Sequence, residues 1–171
     1  MLGHVAAGQV SVATSYARTS DQASFPYGEC EVVDRVARRV AHTFRWPIEK
    51  TESMQVVRYL PGADFSPHYD FFSSTTESGD DALKQMGQRL ATLVLYLSAP
   101  LRGGSTLFAD AEIEVMPVRG NALFFAYPEA DASSQTLHAG VPIAEGEKWI
   151  GTFFFRERRA FGSPQAQPHE G

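Results

Sequence analysis

The sequence predicts a mainly β domain of the α+β class: a jelly roll, or a similar double-sheet barrel, with one N-terminal helix packed outside it. Two observations carry this prediction. Eight short apolar or alternating runs follow residue 53, separated by turn-forming stretches, and one segment before them has apolar residues at helical spacing. At 171 residues, with 43% hydrophobic and 20% charged residues, the chain can bury a full core and reads as globular.

The elements follow in order. Residues 8–16, GQVSVATSY, alternate like an edge strand, and 17–29, ARTSDQASFPYGE, are rich in turn formers and predict a loop. From Glu29 to Phe44 the residues Val33, Val36, Ala37, Val40 and Phe44 recur at helical spacing, opposite Asp34, Arg35, Arg38 and Arg39. That amphipathic helix ends at Trp46-Pro47. The strands are then MQVVRYL, SPHYDFF, RLATLVLYL, STLF, EIEV, NALFFA, QTLHAGV and KWIGTFFF. Between them lie PGAD, STTESGDD, APLRGG, PVRG and AEGE, which are turn compositions. Ser73 to Asp81 is the longest insertion and predicts a mobile acidic loop. Residues 1–160 read as one domain, and the polar, Pro- and Gly-containing residues 161–171 as a disordered tail.

Composition excludes several classes. A net charge of −5, with Lys and Arg clustered only at RRV and RERR, argues against nucleic acid as the main partner. One cysteine, Cys30, permits neither an internal disulfide nor a Cys-based zinc site. The stretch MLGHVAAGQVSVATSY lacks the basic and apolar regions of a signal peptide. No run approaches the roughly 18 apolar residues of a membrane helix. These features predict a cytoplasmic protein with no membrane partner; the oligomeric state is not encoded in any of them.

Chemistry concentrates in four residues. His68 and Asp70 stand two apart inside SPHYDFF, so on a strand they would share a face. An imidazole beside a carboxylate is costly to bury unless a hydrogen bond, an ion pair or a metal occupies it. His138 lies in the nearly apolar QTLHAGV. Lys148 shares a face with Ile150, Thr152, Phe154 and Arg156 by strand alternation. A lysine is almost never fully buried without a partner, so an inward Lys148 implies an anion. Two imidazoles and a carboxylate on a β scaffold form the facial triad that holds non-haem Fe(II). Zinc accepts the same three ligands but leaves the lysine unexplained.

At this point the sequence resembles the prolyl 4-hydroxylase branch of the 2-oxoglutarate- and Fe(II)-dependent dioxygenases. The resemblance runs through RTS (Arg18 to Ser20), RYLPGADFSPHYDFF, GQRLATLVLYL, GGSTLF, PVRGNALFF, LHAGVPI and GEKW, in that order. It implies a double-stranded β-helix with Fe(II) on His68, Asp70 and His138. It also implies that Lys148 binds the distal carboxylate of 2-oxoglutarate, helped by Tyr59 and Thr106. Oxygen is the second co-substrate and ascorbate the implied reductant. Arg89 matches an arginine that the family places near a peptide substrate; by itself it is equally a solvent-facing arginine at a strand start.

Four positions depart from the family pattern. Phe65 replaces a Tyr three residues before the first metal His, Phe154 replaces a Trp, Arg156 stands where plant-type enzymes often have His, and Ser105 replaces a Glu. The resemblance implies C4 hydroxylation of proline in a peptide or protein, with succinate and CO2 released. Phe65 and Phe154 would then pack on the pyrrolidine ring, and Arg89 and Arg156 would bind peptide carbonyls. Arg18 and the Ser73 to Asp81 loop would border the groove. Two other readings fit the same scaffold: an oxygenase of a free amino acid or other small molecule, and a jelly-roll binding module without catalysis.

Overall fold

A computed structural model describes residues 20–73 and 77–160. Its frame is two antiparallel sheets. The larger contains β1 (Ser20–Phe25), β2 (Met54–Tyr59), β4 (Arg89–Tyr96), β8 (Ala122–Ala126) and β11 (Lys148–Arg156), in the order β1-β2-β11-β4-β8. The smaller contains β3 (Phe65–His68), β6 (Thr106–Phe108), β7 (Ile113–Val115) and β9 (His138–Gly140), in the order β3-β9-β6-β7. A short pair, β5 (Arg102–Gly103) with β10 (Ile143–Glu145), was not foreseen. These are the non-sequential antiparallel pairings of a jelly roll.

The two faces of the larger sheet do different things, and strand alternation assigns them. Outward, Ala91 and Leu93 of β4 and Phe153 and Phe155 of β11 are buried beneath α1 (Glu31–Phe44). The helix contributes Ala37 and Val40, flanked by Val33, Val36 and Phe44, so the predicted apolar stripe is the packed one. It stops at Arg45, whose left-handed backbone (φ 50°) lets its N–H close onto the His42 carbonyl. Inward, Thr92, Val94 and Tyr96 of β4 meet Lys148, Ile150, Thr152 and Phe154 of β11 around a cavity between the sheets.

Three local expectations are corrected. Residues 20–25 are a strand rather than a loop: β1 pairs with β2 in unbroken register from Ser20↔Tyr59 to Phe25↔Met54. As an edge strand it needs one ladder and no apolar alternation, which is why its polar sequence hides it. The segment SPHYDFF is a strand only as far as His68, and Asp70 lies in the bend that follows. The acidic insertion is helical in its second half, as α2 (Glu77–Met86). Asp80 and Lys84 pair one turn apart along it. Arg156 and Arg158 donate to its Ala82 and Lys84 carbonyls at 3.4 and 3.3 Å, so residues 74 positions away in sequence help to hold it. The edge strand expected at 8–16, Arg18 and the tail 161–171 lie outside the described residues.

Candidate metal centre and its cavity

His68 ends β3 and His138 begins β9, and the antiparallel register sets them directly opposite each other. Their rings lie 4.3 Å apart between centroids. Each Nδ1 faces a backbone carbonyl, Ser66 at 2.8 Å and Thr136 at 3.0 Å. A carbonyl can only accept, so each Nδ1 carries the proton and each Nε2 keeps its lone pair. His68 Nε2 is 3.5 Å from Asp70 Oδ1, and His138 Nε2 is 3.8 Å from Asp70 Oδ2. One ligand atom from each of the three residues lies within 4.8 Å of the others.

The electrostatics agree with this donor set. Burial pushes the Asp70 carboxyl up, but the neighbouring His68 and His138 imidazoles and the Arg89 guanidinium outweigh it and hold the group at about 2. Burial pushes His138 down, against the pull of the Asp70 charge. An ionised carboxylate and neutral imidazoles with convergent lone pairs fit a divalent cation, and two His with one carboxylate is the ligand set suited to Fe(II).

Because Asp70 is off the strand, no ladder fixes it, and side chains from the start of β4 do so instead. Gln88 acts as a substitute strand: Phe72 N–H donates to its Oε1 at 2.8 Å, and its Nε2 donates to the Phe72 carbonyl at 2.9 Å. Arg89 Nη1 donates to the Asp70 carbonyl at 3.2 Å. The Thr92 hydroxyl donates to Asp70 Oδ2 at 2.7 Å and lies 2.9 Å from the Tyr127 hydroxyl.

Lys148 lines the same cavity as the triad. Only 4% of it is exposed, and its Nζ donates to the Gly104 carbonyl at 2.6 Å and lies 5.0 Å from the Tyr59 ring. Among the described residues no carboxylate pairs with it, and burial lowers it to about 8. The neighbouring Gly103 and Gly104 both have positive φ, and a side chain on Gly104 would collide with Ile143 and Pro100. Thr106 lies 3.2 Å from the hydroxyl of Tyr96, which sequence reasoning passed over although the alternation Thr92, Val94, Tyr96 marks it as inward. Tyr59, Thr106, Phe65 and Phe154 all line the cavity with the triad.

Arg89 and Arg156 do not line it. Expected beside a peptide, they turn behind the cavity wall, because Glu52 draws both. Arg89 makes two 2.8 Å hydrogen bonds to the Glu52 carboxylate and lies 3.5 Å from the Phe154 ring centroid. Arg156 is 0% exposed, with Nη1 3.4 Å from Glu52 and its guanidinium over Phe72 at 4.7 Å. Glu52 was missed because it precedes β2 in a segment with no periodicity to mark it.

Residues 54–156 match the family described as the 2OG-Fe(II) oxygenase superfamily. A viral collagen prolyl hydroxylase from Paramecium Bursaria Chlorella virus-1, solved as a 2OG complex, is 35% identical with a TM-score of 0.68, over 82% of this chain and 80% of that one. Prolyl 4-hydroxylase 5 of Arabidopsis thaliana is 32% identical over 162 residues, covering 82% of this chain and 54% of the plant protein. Prolyl 4-hydroxylase subunit alpha-1 of Caenorhabditis elegans is 30% identical over 147 residues, covering 85% of this chain and 26% of the nematode protein. The chain therefore spans about half the length, or less, of these curated relatives.

Proposed function

The chain belongs to the prolyl 4-hydroxylase branch of the 2OG-Fe(II) oxygenase superfamily, and from that membership we propose that it hydroxylates peptidyl proline at C4. The co-substrates are 2-oxoglutarate and O2, and the products include succinate and CO2. One observation carries the reading: a buried lysine without a carboxylate partner among the described residues shares a cavity with three convergent metal-ligating side chains.

In this reading His68, Asp70 and His138 hold Fe(II) through Nε2, a carboxylate oxygen and Nε2. The bound iron supplies O2 activation coupled to decarboxylation of the oxoacid, delivering one oxygen atom to the substrate carbon. Lys148 receives the distal carboxylate of 2-oxoglutarate, with the Tyr59 and Thr106 hydroxyls beside it. Those groups set which end of the oxoacid faces the triad. Phe65 and Phe154 supply apolar surface for the pyrrolidine ring and exclude water from the reacting carbon. Arg89 and Arg156 brace the wall that carries Phe72 and Phe154, so their influence on substrate runs through those rings. Ascorbate serves as the reductant. A cytoplasmic setting belongs to this reading; among the described residues no helix is long and apolar enough to cross a membrane.

The test is incubation of the protein with Fe(II), 2-oxoglutarate, ascorbate and proline-rich peptides, followed by mass spectrometry. Gain of one oxygen atom on proline, with succinate in equal amount, is the expected result. Free L-proline run in parallel should be a poor substrate, because an extended peptide arrives already ordered in the polyproline II form. Equal turnover of the free amino acid would replace the peptide reading with the small-molecule one.

A further inference from the structure

The Asp70 carboxylate is held by a chain of hydroxyls that ends deep in the core. Tyr127 is 0% exposed and Thr92 1% exposed; Thr92 lines the cavity beside Asp70, while Tyr127 lies behind it. Tyr127 follows β8, and its ring packs with Phe71 and Phe125 at 5.9 and 6.1 Å between centroids. Its hydroxyl is 2.9 Å from Thr92 Oγ1, which is 2.7 Å from Asp70 Oδ2.

Hydrogen-bond inventory fixes the direction of this chain. An ionised carboxylate only accepts, so Thr92 must spend its single proton on Asp70. The Thr92 oxygen then faces Tyr127 with lone pairs alone, and the phenol must donate to it. The order is Tyr127 O–H to Thr92 O–H to Asp70 Oδ2. Each hydroxyl has one partner that satisfies its donor, which a buried polar pair requires.

We infer that Tyr127, acting through Thr92, is a positioning residue for the metal centre: the hydroxyl chain fixes the rotation of the Asp70 carboxylate, keeps Oδ2 engaged and leaves Oδ1 to bind the cation. Oδ1 is the oxygen that faces His68 Nε2 at 3.5 Å, so rotation of the carboxylate would break the convergence. The bend at Asp70 makes such a device necessary, since no strand register holds the residue. This inference rests on the metal reading of His68, Asp70 and His138.

The experiment is Co(II) titration of the metal-free protein by calorimetry, without 2-oxoglutarate or peptide, so that binding is read apart from turnover. Thr92→Val keeps the shape and removes the hydroxyl, and should weaken Co(II) by about 10–100-fold. Thr92→Ser restores the donor and should bind as wild type does. Tyr127→Phe should weaken binding less, and should add nothing in the Thr92→Val background, because its effect passes through Thr92. Tyr127→Phe also carries the test alone if Thr92→Val does not fold. Wild-type affinity in both Thr92→Val and Tyr127→Phe overturns the inference, as does a loss in Thr92→Ser equal to that in Thr92→Val. If the wild-type protein binds no Co(II), the metal reading itself falls; binding by the wild type with no change in the variants removes the hydroxyl chain alone.

Discussion

At Lys148 a single ammonium is kept in an apolar wall with one carbonyl for a partner, and burial lowers it from an ordinary 10.5 to about 8. The sign of the consequence follows from linkage. Between about 8 and 10.5 the unfolded chain holds the proton more firmly than the folded one, so this lysine's contribution to stability rises with pH across that window. Ligand binding runs the other way. A bound carboxylate favours the charged form, so affinity for 2-oxoglutarate should be flat below pH 8 and fall by up to about tenfold per unit above it. Lys148→Ala should flatten that profile and weaken the oxoacid by about 2–5 kcal/mol, with little change in Co(II) affinity. Lys148→Arg should rescue only in part, because a planar fork does not fit the space of an ammonium. Calorimetric titration between pH 7 and 9.5 checks all three, and an unchanged profile in Lys148→Ala would move the oxoacid to another cation.

Between elements, the joint that matters most is the one made by Glu52. It precedes β2, takes Arg89 at the start of β4 and Arg156 at the end of β11, and so ties three segments of the larger sheet at one corner. Through Arg156 the corner reaches α2, and through Arg89 it reaches the Asp70 carbonyl. Removing one partner of a buried ion pair leaves the other charge uncompensated, and here two guanidinium groups depend on one carboxylate. Glu52→Gln should therefore destabilise the fold by about 3 kcal/mol in urea unfolding. It should also weaken Co(II), because the backbone of Asp70 loses its brace. A stability loss with unchanged Co(II) affinity would show that the corner supports the sheet but not the metal centre.

For the whole molecule, the candidate metal centre ties together β3 and β9, neighbours in the smaller sheet that are far apart in sequence. His68 and Asp70 flank the end of β3, while His138 opens β9, and the cavity wall opposite belongs to the larger sheet. A cation held there binds only the folded chain, so it should stabilise by mass action. At about one hundred times its dissociation constant the gain is about 2.7 kcal/mol. At about 2–4 °C per kcal/mol for a chain of this size, the melting temperature should rise by about 5–10 °C. Chelation should reverse the rise, and His138→Ala should abolish it, read against the variant's own metal-free melting temperature. A full metal-dependent rise in His138→Ala would remove that residue from the ligand set.

The sequence by itself determined what short-range periodicity and residue chemistry carry. The apolar spacing of Val33, Val36, Ala37, Val40 and Phe44 is that of the packed face of α1. The alternation from Lys148 to Phe154 is the alternation of cavity wall and outer core in β11. His68, Asp70, His138 and Lys148 stand out because such groups are costly in apolar surroundings, and that cost is a property of the residues. Tertiary structure decided the rest. β1 is visible only through its ladder with β2, and α2 is braced by Arg156 and Arg158 from the far end of the chain. Arg89 and Arg156 turn away from the cavity because Glu52 lies behind its wall, and Asp70 is aimed by Gln88, Thr92 and Tyr127 rather than by a strand. None of these has a local signature, because each depends on a charge or hydroxyl that only folding brings within bonding distance, and a buried polar group takes its role from the partner it finds.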